Sequence, residues 1–242
     1  MKTNNYQKRH YRQCYEADDL FYFRVSEKQS DLYIGAEKPL QTVALEALRE
    51  IRTQVEIAVA TFPAFATSLV PLPPQREAGP VVMDMYVASG KCQVGPMAAV
   101  AGAIAQAVGR ALRKYSRQVI VENGGDVYMY TDTNRSIGVY AGESPFTGLI
   151  AVQIPPGEWG ICTSSGRIGP SFSFGKAHAA MVLSHDATFA DAAATALGNL
   201  IHTCNDLDKG VSRIMTLPDS VGALAIIDDR IAVSGQITLT SL

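Results

Sequence analysis

Val119-Ile120-Val121-Glu122-Asn123-Gly124-Gly125-Asp126-Val127-Tyr128-Met129-Tyr130 places four polar or flexible residues between two apolar runs that both read as strand. Asn123-Gly124 is a strong hairpin signal, because both residues tolerate the positive φ of a type I′ turn. The turn accounts for Asn123 and one glycine. It does not require Gly125 followed by Asp126. Two adjacent glycines present bare amides able to cradle phosphate, and a carboxylate beside them takes a hydroxyl or an amine, so turn and site both stay open.

Outward from this hairpin the same signals recur at both ends of the chain. Residues 20 to 36 alternate apolar and polar around Glu27 to Ser30 and read as a hairpin. Gly222 to Asp228 and Arg230 to Leu239 read as strands joined tightly at Asp228-Asp229. Pro39 suits the first turn of a helix, and from Leu40 the apolar positions Val43, Ala44, Ala47, Ile51, Val55, Ala58 and Val59 recur at helical steps opposite Glu46, Arg49, Arg52 and Glu56. The proline-rich segment Val70 to Pro80 fits neither helix nor central strand and marks a connector or lobe boundary.

Beyond it the pattern predicts a strand over Val81 to Ala88, a helix over about Pro96 to Tyr115, and the quoted strand pair. Further strands follow over Ser136 to Gly142, Leu149 to Ile154 and Ala179 to Ser184, with helices over Phe189 to Ile201 and Lys209 to Met215. Helices and strands alternate in the middle while hairpins occupy both ends. The expectation is therefore a mixed α+β fold, with residues 1–242 as one domain, rather than a doubly wound parallel sheet.

At 242 residues and 47% hydrophobic the chain has material for a sizeable core. The net charge of -2 and pI near 6.1 lack the basic footprint of a nucleic-acid binder. Val94 to Val108, the longest apolar run, is broken by Gln106 and too short to span a bilayer. The polar N-terminus lacks an apolar signal core, which points to a cytoplasmic protein. Cys14, Cys92, Cys162 and Cys204 lie far apart, as expected in a reducing compartment.

Two further stretches carry candidate chemistry. Gly160-Ile161-Cys162-Thr163-Ser164-Ser165-Gly166-Arg167 sets three hydroxyls beside a glycine, a pattern for an oxyanion or phosphate pocket with Arg167 as counter-charge, or for an ordinary loop. Cys162 reads as a buried structural thiol in preference to a nucleophile served by His178 or His185. In Thr188 to Asn199, Asp191 and Thr195 are four apart and share a helix face, a spacing that offers two hard oxygen ligands to Mg²⁺. The competing reading is a capping box with Thr188 as N-cap and Asp191 at N3. Small-residue stripes, Ala101/Ala105/Gly109 and Ala190/Ala194/Gly198, let a backbone approach something closely, a helix or sheet in preference to a ligand. Asp206-x-Asp208-x-Gly210 is no calcium loop, since its twelfth position is Leu217. The histidines His10, His178, His185 and His202 have no metal spacing.

Taken in order, a small-residue helix, N-G-G-D-V, T-S-S-G and A-D-A-A-A-T-A resemble the ApbE-like family of FAD:protein FMN transferases over roughly Gly95 to Asn199. The resemblance implies an ApbE-like fold of mixed and antiparallel sheets with packed helices. It also implies a flavin site, and Mg²⁺-assisted chemistry that moves FMN from FAD to a Thr or Ser of a target protein, or cleaves the FAD pyrophosphate. By match to the motifs, Asp191 and Thr195 would hold Mg²⁺ with a backbone carbonyl from Met97 to Gly102. Asn123, Gly124, Gly125 and Asp126, together with Thr163, Ser164, Ser165 and Gly166, would line the FAD pocket. The sequence departs from the family in two places. Its helix reads Ala105-Gln106-Ala107-Val108-Gly109 where the family has Lys-Gly-Tyr, and Arg167 to His178 replaces a His-Ile-Ile-Asp-Pro segment, with His178 as the candidate stand-in histidine. An enzyme acting on a non-flavin phosphorylated metabolite and a non-catalytic assembly module remain as alternatives, with a homodimer as the default assembly.

Overall fold

The structure, a computed structural model, describes residues 19–166 and 174–242. The hairpin β1 (Phe21–Glu27) and β2 (Ser30–Ala36) leads into helix α1 (Gln41–Thr61), the short α2 (Ala64–Thr67) and α3 (Pro80–Cys92). A single 3₁₀ turn, Pro96–Ala99, then opens α4 (Val100–Leu112). Strands β3 (Val119–Asn123), β4 (Asp126–Thr131), β5 (Arg135–Gly138), β6 (Ile150–Ile154), β7 (Gly157–Ser164) and β8 (Ala179–Ser184) come next. The chain continues through α5 (Ala187–Leu200), α6 (Leu207–Ile214), β9 (Gly222–Ile227), β10 (Arg230–Gly235) and β11 (Thr238–Ser241).

Eight strands form one antiparallel sheet in the order β1-β2-β3-β4-β7-β8-β9-β10, and β11-β6-β5 form a second, also antiparallel. The fold is α+β. Alternation along each strand sorts the large sheet into two faces. Val121, Tyr128, Cys162, Val182 and Ala225 pack against α1, α3, α4, α5 and α6 in the main core. Ile120, Val127, Ile161, Met181 and Leu224 pack against Ile137, Val152 and Ile154 of the smaller sheet. Strands from before and after the proline-rich segment share the large sheet, where β2 pairs with β3.

Several expectations need correcting. Val81 to Ala88 is helical within α3, with Pro80 at its first position and a buried face running Val81, Val82, Met85, Tyr86, Ser89, Cys92. Gly160 to Ser164 belongs to a strand, not a loop. Arg230 to Leu239 is two strands in different sheets. Of Ser136 to Gly142 only the part up to Gly138 is strand. Pro39 lies just before α1, whose N-cap is Leu40. The central turn is built from Gly124 (φ 72°) and Gly125 (φ 106°), because Asn123 pairs with Asp126 as the last rung of the ladder. Both glycines take up the left-handed backbone of a type I′ turn, which moves the turn one residue along from Asn123-Gly124.

Candidate functional site

The N-cap of α5 is Asp186, whose Oδ1 accepts from the amides of Thr188 (2.8 Å) and Phe189 (3.1 Å). The helix thus starts earlier than a Thr188 cap allows, so the capping-box reading of Asp191 fails. Asp191 sits one turn inside the helix, and its carboxylate crosses to α4. Its Oδ2 accepts from the Gly102 amide at 2.8 Å, and the Ala101 amide also favours its ionised form. These are first-turn amides of α4, which have no partner within their own helix. The two helices touch here: a Cβ on Gly102 would lie 2.1 Å from the Ala187 carbonyl oxygen and 2.8 Å from the Asp191 Cβ.

Facing this crossing is the end of the β3–β4 hairpin. Asn123 donates from Nδ2 to the Ala101 carbonyl at 3.1 Å, and Asp126 Oδ1 accepts from the Thr163 amide at 3.2 Å. Asn123 and Asp126 share the helix-facing side of the sheet with Cys162 and, two residues further along β7, Ser164. Thr163 faces the other way, with Ile161. The Ser164 Oγ is buried and makes no hydrogen bond among the described residues. Thr195, half-buried one turn beyond Asp191, has no hydrogen bond from its hydroxyl among the described residues. The Gly125 amide is not bare, since it donates to Glu122 Oε1 at 2.9 Å. Gly166 and Ser165 continue from β7 and bond through the Gly166 amide (3.0 Å) and Ser165 Oγ (3.5 Å) to the Ala177 carbonyl. Gly124 occupies the turn, and Arg167 lies outside the described residues.

The electrostatics single out Asp126 and Asp191. Burial pushes the Asp191 carboxyl up to about 7 against the opposing pull of the Gly102 and Ala101 amides. Burial, then the charge of Asp191, push Asp126 well above the usual carboxylate range. Neither forms a salt bridge among the described residues. Two other carboxylates in the described residues have cationic partners. Asp31 pairs with Arg24, and Glu158, which burial would push up, is held below its usual range by Arg110, Tyr128 and Arg113. Two buried carboxylates without a counter-charge are costly, and the site calls for protons or a cation.

The remaining candidates have structural explanations. Burial pushes the Cys162 thiol well up, reinforced by Asp126 and Asp191, and its Sγ lies 3.4 Å from the Ala187 carbonyl oxygen. It is an inert thiol. The Nδ1 of His178 accepts the Asp228 amide at 2.9 Å, which ties this ring to the β9–β10 turn. His185 stacks on Trp159, with ring centroids 4.1 Å apart. Two surface grooves, of about 200 Å³ beside Lys209 and Arg213 and about 370 Å³ beside Arg113 and Tyr130, contain none of the carboxylate-site residues. Sequence reasoning missed Gln106 as part of this region, though a glutamine inside an alanine-rich apolar helix is a visible signal for a buried polar contact.

The family model described as AbpE bacteria matches residues 12–220. The chain is 39% identical to a UPF0280 protein of Methanocella arvoryzae, covering 87% of this chain and 86% of that one. It is 40% identical to a UPF0280 protein of Methanothrix thermoacetophila, covering 89% and 92%. Among solved structures it is similar to the apo form of Pseudomonas stutzeri flavinyl transferase ApbE, with TM-score 0.53 and 14% identity over 92% of this chain and 94% of that one. The flavin transferase ApbE from Vibrio cholerae gives a TM-score of 0.58 at 11% identity over 89% and 96%. At such identities the likeness is one of fold, and that fold is ApbE-like. The chain belongs to the AbpE bacteria family.

Proposed function

We propose that this protein binds a flavin nucleotide, FAD, through its pyrophosphate together with Mg²⁺ at Asp191, and acts at that pyrophosphate. A protein Thr or Ser hydroxyl, or water, attacks the FMN phosphorus, the P–O bond to the AMP half breaks, and AMP and the hydroxyl or water proton are released. The observation that carries the reading is the uncompensated buried pair, Asp126 and Asp191. An all-oxygen donor set suits a hard divalent ion: the two carboxylates, the Thr195 hydroxyl and the orphaned Ser164 hydroxyl. Held by Asp126, Asp191 and Thr195, a Mg²⁺ ion would supply charge neutralisation for a pyrophosphate and its leaving phosphate.

The chain's own groups support the need for a cation. Helix N-termini ordinarily bind phosphate through free amides, but at α5 those amides are taken by Asp186 and Gln106, and at α4 by Asp191. A phosphate entering this region therefore meets carboxylates, not bare donors. Asn123 fixes the Ala101 carbonyl, and Ser164 offers an unused hydroxyl to a ligand oxygen.

An absorbance spectrum of the purified protein, followed by FAD titration with and without Mg²⁺, tests the reading. Saturable, Mg²⁺-dependent FAD binding is expected, falling at least tenfold in Asp191→Asn, an isostere that keeps an acceptor for the Gly102 amide. Absence of saturable FAD binding under both conditions would overturn it. A colourless protein carrying a non-flavin phosphate would favour another phosphorylated metabolite on the same scaffold.

A further inference from the structure

Gln106 is nearly fully buried on α4, and the side-chain bonds it makes go to the first turn of α5. Its Oε1 accepts from the Ala187 amide at 2.7 Å, and its Nε2 donates to Asp186 Oδ1 at 3.1 Å and approaches Thr188 Oγ1 at 3.4 Å. One turn earlier on α4, Gly102 meets Ala187 and Asp191 in direct contact, and its amide holds the Asp191 carboxylate. The α4–α5 crossing is thus pinned at two points four residues apart on one helix face.

We infer that Gln106 is the positioning residue that sets the register of α5 on α4 and so fixes where Asp191 stands. The inference rests on the proposed cation reading only for its functional consequence. Its physical basis is the demand for both hydrogen-bonding characters in one side chain. The Ala187 amide needs an acceptor, while the Asp186 carboxylate, already engaged as the cap, needs a donor and not another carboxylate. An amide meets both needs. A glutamate cannot donate when ionised and sets a negative charge against Asp186. A lysine cannot accept from Ala187. An alanine or methionine leaves the Ala187 amide unpaired in the interior, which is the costly case for a buried donor. Because α5 is a rigid rod over the single turn separating Ala187 from Asp191, a shift at its first turn reappears at the carboxylate.

The experiment compares wild type, Gln106→Met and Gln106→Glu by amide hydrogen exchange and by calorimetric Mg²⁺ titration. Gly102 lies four residues from Gln106 and bonds Asp191, so its exchange reports whether Asp191 has kept its seat. Expected are exchange at least tenfold faster at Gly102 in both variants, unchanged exchange at Val152 in β6 of the smaller sheet, which packs on the opposite face of the large sheet from α4, and Mg²⁺ affinity weakened at least tenfold. Wild-type exchange at Gly102 in a folded Gln106→Met protein would overturn the inference whatever Mg²⁺ does. If Gln106→Met does not fold, the isosteric Gln106→Glu decides on the same criterion. If the wild type takes up no Mg²⁺, the cation reading falls, while the Gly102 exchange still decides the role of Gln106.

Discussion

A buried hydroxyl without a partner, such as Ser164, is a local cost, since an unsatisfied group in the interior forfeits its hydration, typically about 1–3 kcal/mol. That cost makes a prediction with two opposite signs. Ser164→Ala should leave the ligand-free protein as stable as wild type or slightly more so in urea, while weakening Mg²⁺-dependent nucleotide binding by roughly tenfold, the worth of one good hydrogen bond. Loss of stability with unchanged binding would mark the hydroxyl as structural. Ser164 also shows what a sequence conveys at this scale. Its hydroxyl chemistry was visible, but not that Thr163 beside it faces the opposite side of the sheet, because that depends on Gly157–Ser164 being a strand. Gly160 and the small polar residues after it gave that strand the composition of a loop.

Between elements, the decisive contact is the crossing of α4 and α5. Gly102→Ala places a methyl within 2.1 Å of the Ala187 carbonyl oxygen, so the helices must separate or the Asp191 seat must deform. Destabilisation of about 1–3 kcal/mol by urea unfolding is expected, as for other overpacked interiors, with Asp191-dependent binding lost along with it. A variant of wild-type stability would show that the helices have slack there. The small-residue stripe containing Ala101, Ala105 and Gly109 did announce close packing, and Gly109 indeed lies against the Tyr128 ring. Helix α3 was less legible. Val81-Val82-Met83-Asp84-Met85-Tyr86 has the β-branched and aromatic content of a strand, and the broad buried face of a helix covered on several sides hides the 3.6-residue period. Pro80 at the first helical position was the available clue. The α5 boundary failed for a related reason: Asp186 and Thr188 are both good caps, and only the tertiary seat of Asp191 against α4 separates the two choices.

Across the whole molecule, the carboxylate pair should dominate the dependence of stability on pH in the metal-free state. The folded-state value of Asp191 is raised, to about 7, and that of Asp126 is raised as well, so folding favours their protonated forms. The stabilisation is complete below the unfolded carboxylate value and is lost as pH climbs through about 7. Asp19, Glu37 and Asp206 are lowered, so their contributions vanish at the acid end, as pH falls through their folded values. A metal-free melting temperature that is highest near pH 5 and falls by several degrees towards pH 8 is expected, flattening in Asp191→Asn. A melting temperature rising over that interval would contradict the buried pair. The architecture itself was largely visible beforehand, because hairpins at both ends forced antiparallel pairing. The division of the last segment between two sheets was not, because it depends on which edge is left open once β5 and β6 have paired.

The large sheet lists its strands in the order in which they occur along the chain, interrupted only by the excursion of β5 and β6 into the smaller sheet. A polypeptide emerging from its N-terminus can therefore lay each new strand on an exposed edge, never wedging one between two already joined. By the time α5 is synthesised, α4 and the β3–β4 hairpin are already available to receive Asp191. The carboxylate site can be assembled during translation, before the last three strands exist.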